Sequence, residues 1–233
     1  MVRIFFYQVF DMPPILFSLS LFACNSSPTI KNPIFVETVS VPRINDTKMN
    51  ENVKTAALQS YTHAVNNNIT TSHIMTIIDF QLPSTKKRLW VVDLNSGETL
   101  FHEQVTHGRN SDENNDNYVD KGGLSNVNQS KKSSIGVFLT AETYYSTSFQ
   151  GTSMRMDGLE KGFNDNARDR AIVMHPAEYA DVKEGERMGR SWGCPSLDPD
   201  ISEALIETIY GGSLLLQYYP DEKWLKESEF VKE

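Results

Sequence analysis

Two cysteines, Cys24 and Cys194, are all that the 233 residues contain. That count excludes a disulfide-stapled scaffold and a zinc site built mainly of thiolates. Basic residues are in deficit: 22 Lys and Arg stand against 30 Asp and Glu, a net charge of −8. A nucleic-acid binder needs a basic face to displace phosphate counterions, and docking on anionic lipid by charge needs the same surplus. Internal repeats are missing too. What remains is ordinary for a folded domain, with 39% hydrophobic and 22% charged residues. A chain of this length buries one sizeable core and has residues left for terminal extras.

The N-terminal apolar run over 15–21 is broken only by Ser18 and Ser20. It is too short to span a bilayer as a helix and suits the hydrophobic core of a signal peptide. The run ends in Leu21-Phe22-Ala23-Cys24, which resembles the bacterial lipoprotein box. The resemblance implies cleavage before Cys24, lipid on that cysteine, and a protein on the periplasmic face of a bacterial membrane. The Ser-, Thr-, Asn- and Pro-rich stretch that follows has no sustained period and reads as a tether. The expected organisation is a leader over 1–23, lipidated Cys24 and tether over 24–49, and one folded domain over 50–233. Cys194 is then the one thiol free for chemistry in an oxidising compartment, where it must be buried or used.

Val53, Ala56, Ala57, Ser60, Tyr61, Ala64 and Val65 recur at helical spacing, which predicts a helix over 51–66. Beyond it the period changes. Strands are expected over 74–80, 89–94, 99–105, 135–141, 152–157, 171–175 and 213–219, with a hairpin turn at Asn95-Ser96-Gly97-Glu98. Ile201, Ala204, Leu205, Thr208 and Ile209 form a second helical face, with a capping box from Asp200 to Glu203 and a stop at Gly211-Gly212. The fold class is therefore mainly β, sandwich- or barrel-like, with one helix before the sheet and one after Cys194. The polar stretch 110–134 is a long loop, and its length marks it as functional or mobile. Its acidic residues alternate as in a calcium loop, but Asn117 and Gly123 stand where a tight-turn Gly and a bidentate Glu belong. A solvated loop and no metal is the expectation.

The chemistry is concentrated in Ala171-Ile172-Val173-Met174-His175 and Gly189-Arg190-Ser191-Trp192-Gly193-Cys194-Pro195. A histidine closes a predicted strand, and nineteen residues on a cysteine sits in a glycine-flanked turn. A thiol nucleophile needs a base, and an imidazolium beside it favours the thiolate. Gly193 allows close backbone approach, so N–H groups around Trp192–Cys194, in the turn of Trp192 and Gly193, are candidates to receive an oxyanion. The competing reading is a cysteine serving as a small core hydrophobe beside a structural histidine.

The pattern His175, fifteen residues, then Ser191-Trp192-Gly193-Cys194 resembles the L,D-transpeptidases, murein cross-linking enzymes with a YkuD-type catalytic domain. Further segments agree in order: His107-Gly108-Arg109-Asn110-Ser111, Ser133-Ser134-Ile135-Gly136-Val137-Phe138, Asp157-Gly158-Leu159-Glu160 and Asn164-Asp165-Asn166-Ala167-Arg168. The resemblance covers about 74–219. It implies Cys194 as nucleophile and His175 as its base, with no cofactor. Peptidoglycan stem peptides are the implied substrates and carbapenem-type compounds the implied inhibitors. Arg190 is the candidate cation for a substrate carboxylate, with Ser191 and Tyr145 as further contacts. Trp192 replaces the histidine usual before the Gly-Cys pair. Pro176 follows His175 where a serine side chain would orient the ring, so a backbone carbonyl must fix the tautomer. Water or a free D-amino acid as acceptor gives a carboxypeptidase or an exchange enzyme by the same thioester chemistry. A murein-binding domain without catalysis is the non-enzymatic alternative.

Overall fold

The structure, a computed structural model, describes residues 41–232. The leader, Cys24 and the first part of the tether lie outside the described residues. Helix α1 spans Glu51–Asn66, as the periodicity predicts. Asn50 caps it by accepting the Asn52 N–H, and Val53, Ala56, Ala57, Ser60 and Ala64 form its buried stripe. The strands are β1 (Ile74–Asp79), β2 (Leu89–Asp93), β3 (Glu98–Glu103), β4 (Gly136–Ser146), β5 (Gly151–Gly158), β6 (Val173–Pro176), β7 (Ser196–Leu197) and β8 (Leu214–Tyr218). Helices α2 (Pro199–Ile209) and α3 (Glu222–Glu227) complete the set. The strands make one curled sheet in the order β3-β2-β1-β8-β4-β5-β6-β7, with β1–β8 and β6–β7 parallel and the other pairs antiparallel. The mainly-β expectation holds.

Both faces of the central strands are covered. Met75, Ile77, Trp90, Val92, Val137, Leu214 and Leu216 pack with α1 and with Trp224 of α3. The alternate residues Ile78, Leu89, Val91, Phe138 and Leu215 pack with Leu205, Ile206 and Ile209 of α2. Strands buried on two faces read as continuous apolar runs, which is why 74–80 and 213–219 show no polar alternation.

Three local details differ from the sequence reading. Asp198, not Asp200, caps α2, accepting the Asp200 N–H with Pro199 as first helical residue. Strand β4 continues to Ser146 through a register shift between Thr140 and Thr143, which carries the β4–β5 hairpin further out. The end of the expected tether is docked: Arg43 N–H donates to Leu94 O and Asn45 N–H to Gly97 O, and Met49 is buried. Backbone pairing with a hairpin leaves no compositional trace.

The loop 110–134 lacks strands but is tied down. Asn110 N–H bonds Lys131 O, Asp120 N–H bonds Ser111 O and Ser125 N–H bonds Ser133 O. The carboxylate of buried Asp112 accepts the N–H groups of Asp116 and Asn117. Among the described residues there is no group of three or more His, Cys, Asp or Glu able to hold a metal ion.

Candidate active site

Strands β6 and β7 run parallel, with His175 opposite Ser196 and Pro176 opposite Leu197. Two residues back from Ser196 stands Cys194, and there the Val173 N–H points at Sγ, 3.4 Å away. One short parallel pairing thus brings the strand that ends in the distant histidine beside the segment that carries the cysteine, two residues ahead of β7.

The turn that presents Cys194 is braced from within. The Ser191 hydroxyl donates to the Cys194 carbonyl at 2.6 Å and accepts the Gly193 N–H at 3.0 Å. From outside, Ser191 N–H bonds His107 O at 3.0 Å and Arg109 N–H bonds Ser191 O at 2.7 Å. Gly193 has φ +123, and a Cβ there would lie 2.7 Å from the Lys132 carbonyl oxygen, so only glycine fits. Of the N–H groups around Trp192–Cys194 that the sequence suggested as oxyanion donors, Ser191 takes that of Gly193. No hydrogen bond among the described residues engages the N–H groups of Trp192 and Cys194, which are the donors left for the task. Ser191 itself is buried and braces the turn.

His175 is buried, and its tautomer follows from its partners. Nδ1–H donates to the Pro176 carbonyl at 2.8 Å, as expected where no side chain can serve. Nε2 is then unprotonated and accepts from the Ser196 hydroxyl at 3.0 Å. Tyr179 OH lies 3.0 Å from the same hydroxyl. The Phe149 ring stacks on the imidazole at 3.6 Å, delivered by the β4–β5 hairpin. Tyr145, by contrast, projects from β4 with 70% exposure and lines neither depression described below. Met154 is buried in the core.

Burial acts on both reactive groups. It pushes the Cys194 thiol up to about 11, against smaller lowering effects of the Val173 N–H and Arg170. It lowers His175, with the Pro176 carbonyl acting in the other direction. Near neutral pH the resting pair is therefore thiol and neutral imidazole, not the thiolate and imidazolium expected from sequence. Desolvation disfavours both charges, and Nε2 bonds Ser196 in place of sulfur.

Two depressions are lined by residues neighbouring His175 or the turn. One, of about 450 Å³, is bordered by Phe149, Pro176 and Tyr179 on the histidine side. The other, of about 360 Å³, is lined by Asn128, Gln129, Lys131, Arg170 and Trp192. Arg190 lines neither. Its guanidinium donates to the Asp112 carbonyl at 2.7 Å and lies 3.6 Å from the Asp112 carboxylate, so it is engaged by the loop's buried acid.

Asp112 also faces a second histidine. Buried Arg88 donates to His107 Nδ1 at 2.9 Å, which puts the His107 proton on Nε2, 3.5 Å from Asp112 Oδ2. Burial, with Arg88 and Arg190 nearby, holds His107 down to about 2. Unfolded, it titrates near 6.5. Between those values the unfolded chain binds one more proton, so stability falls as pH falls. This site is expected to cost about 1 kcal/mol per pH unit below 6.5. Denaturant unfolding at pH 6.5 and 4.5 should show the wild type losing more stability than His107→Gln. Equal losses would remove His107 as the cause.

Ser196, Tyr179, Arg170 and the stacking role of Phe149 were not legible in the sequence. Ser196 is the nearest to a readable case, since it sits two places after the cysteine and must share its strand face. Nothing in the sequence marks Arg170, which is brought in by the turn before β6.

A model of the L,D-transpeptidase catalytic domain family matches residues 45–218. The chain belongs to that family. Solved structures similar to it include an L,D-transpeptidase from Mycobacterium smegmatis, 13% identical, covering 64% of this chain and 59% of that one, TM-score 0.39. Bdellovibrio bacteriovorus Bd1075 is 16% identical, covering 63% and 48%, TM-score 0.39. The L,D-transpeptidase LdtMt1 in complex with imipenem is 13% identical, covering 63% and 59%, TM-score 0.38. The chain spans less than two thirds of the length of each of these three. No match was found among curated proteins.

Proposed function

We propose that the chain is a murein L,D-transpeptidase that works through a thioester on Cys194. The observation that carries the reading is the pairing of β6 with β7. It sets His175 opposite Ser196, two residues after Cys194, with the imidazole tautomer fixed by the Pro176 carbonyl. Sγ attacks the carbonyl of the third residue of a tetrapeptide stem, and the thiol proton passes to His175 Nε2. As the imidazolium forms, the Ser196 hydroxyl turns from donor to acceptor, so it supports both protonation states. The N–H groups of Trp192 and Cys194 receive the oxyanion. The C–N bond breaks, and D-Ala leaves with the proton from His175. A side-chain amine of a second stem then attacks the thioester and frees the thiol.

Incubating the purified protein with a tetrapeptide muropeptide and weighing the products tests this. Cross-linked dimer with free D-Ala is the expected result. D-Ala release without dimer means that water is the acceptor, and no release at all overturns the reading.

For location, the proposal is a lipoprotein anchored through Cys24, resting on the Leu21-Phe22-Ala23-Cys24 box. The mature protein should partition into detergent, and Cys24→Ala should leave it soluble or unprocessed. One acyl chain gives marginal anchoring and several give a stable one. A mature chain beginning elsewhere than Cys24 would refute the lipid.

A further inference from the structure

The depression beside Trp192 runs against the grain of this acidic chain. Its lining residues are Asn128, Gln129, Lys131, Arg170 and Trp192, with two cations and no acid. It adjoins the nucleophile: a Cβ placed on Gly193 would lie 3.4 Å from Arg170 Nη2. Arg170 is a fixed wall, since Nη1 donates to Ser125 O and Ser134 Oγ, and Nη2 to Ser130 Oγ and Lys132 O.

Lys131 is the opposite case. Its neighbour Lys132 is paired with Glu113. Lys131 makes no ion pair among the described residues, and its Nζ lies over the Trp192 ring, 4.4 Å from the centroid. Trp192 keeps 70% of its surface exposed one residue before Gly193. A bare indole with an unpaired ammonium over it is a weakly satisfied arrangement, since an exposed cation–π contact holds less firmly than a carboxylate would. The backbone carries strain at the same place: Gln129 has φ 59 and Lys131 φ 55, in the region that L-residues seldom occupy. Such strain gathers at ligand-holding sites. The Lys131 carbonyl is held by the Asn110 N–H at 3.1 Å.

We propose that this depression is a carboxylate-binding subsite, with Lys131 as its movable cation and the Trp192 face as its floor, taking a carboxylate of the peptide attacked by Cys194. The subsite deepens the transpeptidase reading and rests on it for the identity of the peptide. Lys131, not Arg190, is then the residue that recognises substrate charge.

The test uses two small alkylating agents of matched size on the full chain. Iodoacetate carries a carboxylate, and iodoacetamide is neutral. At low salt, Lys131→Met is expected to lower the iodoacetate-to-iodoacetamide rate ratio at Cys194 about fivefold, and 0.5 M salt should shrink the difference. Lys131→Arg should keep the wild-type ratio, and Lys132→Met should leave it unchanged. An unchanged ratio in Lys131→Met overturns the subsite, and so does a loss shared equally by both reagents. In turnover, Lys131→Met should raise KM for a tetrapeptide with free carboxylates about tenfold with kcat kept, and leave KM for the amidated peptide at the wild-type value. If no murein peptide is turned over while the ratio still shifts, the anion subsite stands and the transpeptidase reading falls.

Discussion

Cys194→Ser is expected to abolish peptide transfer, by a factor of about a thousand or more, while the protein stays folded. The side chain is half-buried, and its contacts at sulfur are the Val173 N–H and, more distantly, the Ala171 carbonyl. A hydroxyl can serve both, so stability should change by no more than about 1 kcal/mol. Chemistry is another matter. A serine hydroxyl ionises far less readily than even this thiol, which burial already pushes up to about 11. His175 accepts from Ser196 at Nε2 and donates to a carbonyl at Nδ1, and among the described residues no carboxylate backs it. An imidazole without that support is a poor base for an alcohol. Product release from tetrapeptide murein, measured beside a thermal melt of the same preparation, checks both halves. Turnover retained by the serine variant removes Cys194 from the mechanism.

The candidate nucleophile could be picked out in the sequence because the pattern that marks it is local. A cysteine in a glycine-flanked turn, with a histidine closing a strand upstream, is a pattern of residue types. Helix α1 was legible for the same reason, since five buried residues at helical spacing identify one face. The state of the site was not legible. Sequence suggested a charged thiolate–imidazolium pair, but charge depends on burial. Burial here comes from Phe149, Met174 and the packing of α2, all set by tertiary contacts. Ser196 reaches His175 only because β7 pairs in parallel with β6, and a two-residue strand carries no periodic signal. For Arg190 the sequence shows only a basic residue beside the cysteine turn, which suggests substrate binding, and not what engages it. Its partner, Asp112, lies 78 positions away and is itself buried. Helix α3 went unseen for a similar reason. Its six residues are held by the Asp221 cap and by Trp224, whose Nε1 donates to buried Glu160 at 3.0 Å.

Imipenem or meropenem should form a single covalent adduct on Cys194, visible as a mass increase of the intact protein equal to the whole drug. Sγ bonds to the lactam carbonyl carbon, the lactam C–N bond opens, and the thiol proton ends on the ring nitrogen by way of His175. Ring strain supplies the driving force, so the protein need only present the sulfur, a base and oxyanion donors. The pH dependence separates base catalysis from plain thiolate attack. Burial lowers His175 below its ordinary 6.5, so the base is already unprotonated at pH 7. The wild-type acylation rate should therefore be nearly flat between pH 7 and 9. In His175→Ala only the ionised thiol can attack, and its fraction grows about tenfold per pH unit until pH approaches the thiol's own value of about 11. That variant should be slower by about a hundredfold at pH 7 and should close the gap as pH rises. Cys194→Ser should take no drug at any pH. A wild-type rate that climbs in parallel with the His175→Ala rate would show that the imidazole does not take the proton. A folded wild type that stays unmodified, while iodoacetamide still labels its thiol, would leave an open site not built for acyl transfer and make the non-catalytic murein-binding reading the better one.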